Sequence, residues 1–122
     1  MRYKYCKEGH LMDPSWKVCP VCIAPLAGWL VMLREDGSAE KYYTLHEGKS
    51  FIGSAADCEI RILKAGLTRQ QAYLSISGGE CSLVDLGNGE PIKVNNINSV
   101  KTMLIDGDII KMGEKLYKIK LL

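Results

Sequence analysis

Four residues near the start of the chain have the types and spacing of a metal site: Cys6-x3-His10, an eight-residue gap, then Cys19-Pro20-Val21-Cys22. Three soft thiolates and one imidazole are a set that Zn2+ takes in a closed tetrahedral structural site, and four protein ligands leave no position open for a catalytic water. The segment needs such a cross-link. With only Leu11, Met12, Trp16, Val18 and Val21 to pack, it cannot offset its chain entropy by burial, so zinc would contribute folding energy directly. Two other readings stay open, a redox Cys-x-x-Cys and a set of unrelated buried thiols. A redox pair wants a strand before it and a helix starting at its first Cys; Pro25, Gly28 and the lack of helical periodicity argue against that.

No other grouping has the form of a reaction centre. His46 stands alone at a polar strand edge beside Glu47, no serine occupies a nucleophile elbow, no Gly-x-x-x-x-Gly-Lys-Ser/Thr loop is present, and no carboxylate pair is framed for acid–base work. A non-enzyme is expected. Five cysteines, three of them within the first 22 residues, do not make the even, distributed set of a secreted disulfide framework. Cys58 and Cys81 read as small buried hydrophobes. The first 28 residues hold four Lys/Arg against two Asp/Glu and the remainder twelve of each, too little excess for a nucleic-acid footprint. No run approaches the roughly 20 apolar residues of a membrane span, and no apolar stretch follows the charges of the N-terminus. A cytoplasmic protein without a membrane partner is expected.

The elements that must carry these residues are short. From Trp29 onward, apolar or alternating runs are broken by Gly, Asp and Asn: 29–33, 41–45, 50–53, 58–63, 72–77, 80–84, 108–111 and 115–121. Strands at this spacing with turn signals between them indicate an all-β sandwich or barrel. At 122 residues the chain is one ordinary domain with an appendage, divided as a knuckle over 1–27 and a sandwich over 28–122.

The first part resembles the zinc-ribbon knuckles of bacterial proteins, with Gly9 allowing a tight turn beside a ligand and Pro20 stiffening the Cys-x-x-Cys loop; Ile23 stands where such knuckles carry glycine. The second part resembles the forkhead-associated (FHA) domain on five ordered landmarks. These are Phe51-Ile52-Gly53, Asp57-Cys58-Glu59-Ile60, Thr68-Arg69-Gln70-Gln71-Ala72, Leu83-Val84-Asp85-Leu86-Gly87 with Val94-Asn95, and Leu104-Ile105-Asp106-Gly107-Asp108-Ile109-Ile110 as a closing hairpin.

That resemblance implies an FHA-like β-sandwich with a phosphothreonine-peptide site at its loops. The family's first-loop Arg is replaced by Ser54, its Ser by Thr68 and its bracing His by Gln71, while Arg69 is kept. A gapless register puts Glu90 at the family's peptide-gripping Asn; sliding by two restores Asn88-Gly89 at the expense of the downstream spacing. The gapless register keeps Val94-Asn95 in place and is preferred. A charge-assisted hydrogen bond contributes roughly 1.5–3 kcal/mol, so loss of the Arg weakens a phosphopeptide by about ten- to a hundredfold. Lys64 is a candidate replacement cation. The expected function is a non-catalytic protein–protein interaction module with a structural zinc and a degenerate phosphothreonine site. The alternative is a working reader below a Ser/Thr kinase, with Thr68, Arg69 and Asn88 sufficing.

Overall fold

The computed structural model describes residues 4–15, 17, 19 and 24–122. The expected ligand Cys22, and with it Trp16, Val18, Pro20, Val21 and Ile23, lies outside the described residues. The described residues form thirteen strands: β1 (Lys4–Tyr5), β2 (Leu11–Met12), β3 (Leu26–Leu33), β4 (Ala39–His46), β5 (Gly48–Gly53), β6 (Ile60–Arg61), β7 (Ala72–Ser77), β8 (Glu80–Asp85), β9 (Lys93–Val94), β10 (Ile97–Asn98), β11 (Lys101–Leu104), β12 (Ile109–Met112) and β13 (Lys115–Leu121). No helix among the described residues is long and apolar enough to cross a membrane.

β1 and β2 form a small antiparallel ladder, and the rest divide into a six-stranded sheet, β10-β9-β12-β13-β3-β4, and a five-stranded sheet, β11-β8-β7-β5-β6. Alternation puts Leu30 and Met32 of β3, Ile110 and Met112 of β12 and Tyr117 and Ile119 of β13 against Ile52 of β5, Leu74 and Ile76 of β7 and Cys81 and Leu83 of β8 in one core. Each fully buried aliphatic there contributes about 1.5–3 kcal/mol over exposure. This is the all-β sandwich that the spacing of short strands predicts.

Four local features differ from expectation. β3 begins at Leu26, paired with His46, so the join to the knuckle is already sheet. The apolar run 58–63 yields only a two-residue strand, because its parallel partner β5 ends at Gly53, opposite Arg61; Cys58 and Ile62 on either side are buried. Asp106-Gly107 does not join a hairpin: β11 pairs with β8 in one sheet and β12 with β13 in the other, so this turn passes between sheets. β9 and β10 are joined by Asn95 and Asn96, both at positive φ (51° and 69°), the geometry of a two-residue hairpin turn that asparagine tolerates.

Candidate functional site

The knuckle turn is built from Cys6 to His10. Gly9, at φ 87°, supplies the left-handed step, its N–H donates to the Cys6 carbonyl at 3.0 Å, and the Cys6 N–H donates to the His10 carbonyl at 3.0 Å. The Glu8 and His10 amides both donate to Cys6 Sγ, each at 3.3 Å, so two backbone donors converge on the sulfur. His10 Nδ1 lies 3.2 Å from Cys6 Sγ and 3.6 Å from Cys19 Sγ, and the three ligand atoms are all within 4.8 Å of one another. Tetrahedral zinc with bonds of about 2.3 Å to sulfur and 2.05 Å to nitrogen gives an S-to-N edge of about 3.6 Å. Burial pushes the His10 pKa down, against an opposing pull from Glu8, so the imidazole is held toward the neutral form that coordinates metal.

His46 is not an isolated edge residue. It is buried, with Nδ1 2.9 Å from the Ala24 carbonyl and Nε2 3.2 Å from Glu8 Oε1, and its ring meets that of His10 edge-on at 6.1 Å. Glu8 also accepts from the Thr44 hydroxyl. The knuckle is thereby tied to β4. Nothing in the sequence around His46 marks it as buried, since its partners Ala24 and Glu8 stand 22 and 38 residues away along the chain.

At the opposite end of β5, two loops are pressed together. A Cβ at Gly53 would fall 2.9 Å from the Thr68 carbonyl oxygen and closer still to that of Arg69, so only glycine fits. The Ser54 N–H then donates to the Thr68 carbonyl at 3.0 Å and that of Ala55 to the Arg69 carbonyl at 3.1 Å. The Ser54 carbonyl accepts from Arg61 Nε at 3.3 Å.

Gln71 is buried under this junction. Its Oε1 accepts from the Thr68 N–H and hydroxyl, each at 3.1 Å, and its Nε2 donates to the Glu90 carbonyl at 3.4 Å. An amide thus spans the loops that the family braces with imidazole.

The resulting mouth, a depression of about 380 Å3, is lined by Ala55, Asp57, Thr68, Arg69, Gln70 and Asn88. Of the sequence-derived candidates it gathers Thr68, Arg69 and Asn88; Ser54 sits beside it and Gln71 beneath. Asn88 borders the mouth and donates to the Gln70 carbonyl at 2.8 Å. Glu90, which the gapless register puts at the gripping position, instead borders two adjoining depressions, one of which it shares with Glu114. Lys64 is exposed at φ 61° and is not among the residues lining the mouth. Sequence reasoning passed over Asp57 as an acid at the mouth, although its place in the second landmark was visible.

The FHA domain family model matches residues 50–113. The FHA domain-containing protein FhaA of Mycobacterium tuberculosis is 32% identical over 87 residues, which are 71% of this chain and 16% of that protein, so the chain spans about a sixth of its relative's length. The crystal structure of the FhaA FHA domain complexed with the intracellular domain of Rv3910 superposes with a TM-score of 0.66 at 29% identity, covering 75% of this chain and 98% of that one. A structure from an analysis of phosphothreonine-dependent FHA domain interactions gives a TM-score of 0.66 at 28% identity, covering 77% and 97%. With its two sheets, its glycine-pinned loop junction and this match over half its length, the chain belongs to the FHA domain family.

Proposed function

We propose that the chain is a non-catalytic protein-interaction module in which a zinc knuckle, held by Cys6, His10, Cys19 and Cys22, is fastened to an FHA sandwich whose phosphothreonine site is degenerate. The observation that carries this reading is the charge of the mouth. Among the described residues Arg69 is the one cation lining it, Asp57 is a carboxylate beside it, and the Thr68 hydroxyl is directed at Gln71. A phosphate dianion arriving there meets one guanidinium offset by one carboxylate, where strong recognition uses charge-assisted bonds in excess. Arg61, which follows the first loop, is held by the Ser54 carbonyl and lines a separate cleft. Protein partnership is in keeping with the FhaA domain, whose structure is a complex with an intracellular protein domain.

The alternative, a phosphothreonine reader, is favoured by one arrangement: Thr68, Arg69 and Asn88 border a single depression, and a relative of 28% identity comes from phosphothreonine-dependent interactions. Binding to a degenerate phosphothreonine peptide library, beside the same library unphosphorylated, separates the two. The degenerate reading expects no preference for phosphate. Selective binding abolished by Arg69→Ala or Thr68→Ala establishes the reader.

A further inference from the structure

A second recess lies apart from the loop mouth. It is a cleft of about 470 Å3 between the knuckle turn and the sandwich, with Tyr5 and Glu8 on one side, Lys41, Tyr42 and Tyr43 of β4 on another, and Glu59 and Arg61 around β6 on the third. Its size is that of a ligand pocket. Among the described residues, β4 is the last strand of one sheet and β6 the last of the other, so the cleft runs along two open sheet edges. An open edge presents unpaired backbone donors and acceptors to which an extended chain can add.

The side chains set the charge that such a chain must carry. Both acids of the cleft accept hydrogen bonds from the protein: Glu59 Oε1 accepts the Phe51 N–H at 2.7 Å, and Glu8 Oε1 accepts from His46 and Thr44 while its side chain stays 32% exposed. The two cations come from opposite sheets, and neither has a carboxylate within 4.0 Å among the described residues; the ion pairs there are His46–Glu8 and Lys115–Glu40. Lys41 Nζ rests 5.2 Å from the centre of the Tyr43 ring, and Arg61 spends one N–H on the Ser54 carbonyl, leaving the rest of its fork. Tyr42 is 64% exposed, an aromatic face with a polar tip suited to contact.

We infer that this cleft is a second docking site, distinct from the loop mouth, for an extended acidic peptide segment of a partner protein, with carboxylates received between Lys41 and Arg61 and the backbone laid along β4. This rests on the interaction-module reading and supplies it with a phosphate-independent surface.

The test is fluorescence anisotropy with the zinc-loaded full chain and a short labelled peptide of alternating Val and Glu, set beside its Val/Lys counterpart and a phosphothreonine peptide. The Val/Glu peptide is expected to bind and the Val/Lys peptide not. Lys41→Glu and Arg61→Glu should each weaken binding by about tenfold or more, the scale of a lost charge-assisted bond, and Arg69→Ala should leave it unchanged. Lys41→Gln and Arg61→Gln, which remove charge without adding any, guard against a folding defect and should weaken binding in the same direction. No binding of the Val/Glu peptide, equal binding of the Val/Lys peptide, or indifference to all four variants overturns the cleft. Loss on Arg69→Ala overturns it too, by moving the peptide to the mouth. The phosphothreonine arm reports on the mouth alone, so failure of either site is read separately.

Discussion

Gln71 Oε1 receives both the backbone N–H and the hydroxyl of Thr68, each at 3.1 Å, so one buried amide fixes the residue that heads the second binding loop. With Nε2 on the Glu90 carbonyl, the same side chain spans two loops. Gln71→Leu keeps the volume and removes all three bonds. An unsatisfied buried polar group costs about 1–3 kcal/mol, so the midpoint of urea unfolding should fall by a corresponding amount, while Gln70→Leu, at an exposed position, should leave it nearly unchanged. Equal midpoints for the two variants would remove Gln71 from the brace.

The electrostatic account of the mouth is tested by rebuilding it. Ser54→Arg restores a guanidinium in the first loop, and Asp57→Asn removes the acid that lines the depression. Each change should raise affinity for a phosphothreonine peptide by about tenfold, and the pair by up to about a hundredfold. Titration calorimetry checks this. If the double variant binds phosphate no better than the parent, charge is not what the mouth lacks.

The proposed zinc site divides the cysteines into two classes. Cys58 and Cys81 are both buried, and burial pushes the Cys81 thiol up from 9.0 to about 11 and raises that of Cys58 as well. Both stay protonated and unreactive in the folded protein at pH 8. Iodoacetamide with a zinc chelator should therefore modify Cys6, Cys19 and Cys22 and spare Cys58 and Cys81, as read by peptide mass mapping. The raised value fixes a sign for stability too. The folded state holds the Cys81 proton more tightly than the unfolded state, so this contribution is complete below about pH 9 and is lost as pH rises toward 11. Modification of Cys81 as fast as Cys6 contradicts the assignment.

Much of this arrangement was legible where local pattern and tertiary demand coincide. β7, β8 and β13 alternate cleanly and pair with sequence neighbours or through short turns, so period-two reading locates them. The segment Cys6-x3-His10 forms a turn whose ends meet. What stayed hidden depends on partners distant in sequence. β6 is short because its partner β5 ends at Gly53, opposite Arg61, and nothing in Cys58–Leu63 encodes that limit. Asn88 reaches the mouth because the Gln70 carbonyl holds its amide, a contact that counting residues from Asp85 to Val94 cannot supply. Leu104 and Ile109 border a turn with the composition of a hairpin, yet lie in strands of different sheets, since turn chemistry fixes the bend and not the destination.

His46 fastens the two parts of the chain, and its removal should free one without unfolding the other. Its Nδ1 meets the Ala24 carbonyl just before β3, and its Nε2 meets Glu8 in the knuckle turn, while the sandwich core, among the described residues, is formed from β3 onward. His46→Ala loses both contacts, each of about 0.5–1.5 kcal/mol, or somewhat more for the charged Glu8. Limited proteolysis should then cut faster ahead of Leu26 and leave a resistant fragment containing the sandwich, and zinc content should be kept because His46 is not a ligand. Glu8→Gln retains a hydrogen-bonding oxygen and should show a smaller effect. An unchanged cleavage rate in His46→Ala would show that the pairing of Leu26 with His46 through the backbone suffices to seat the knuckle.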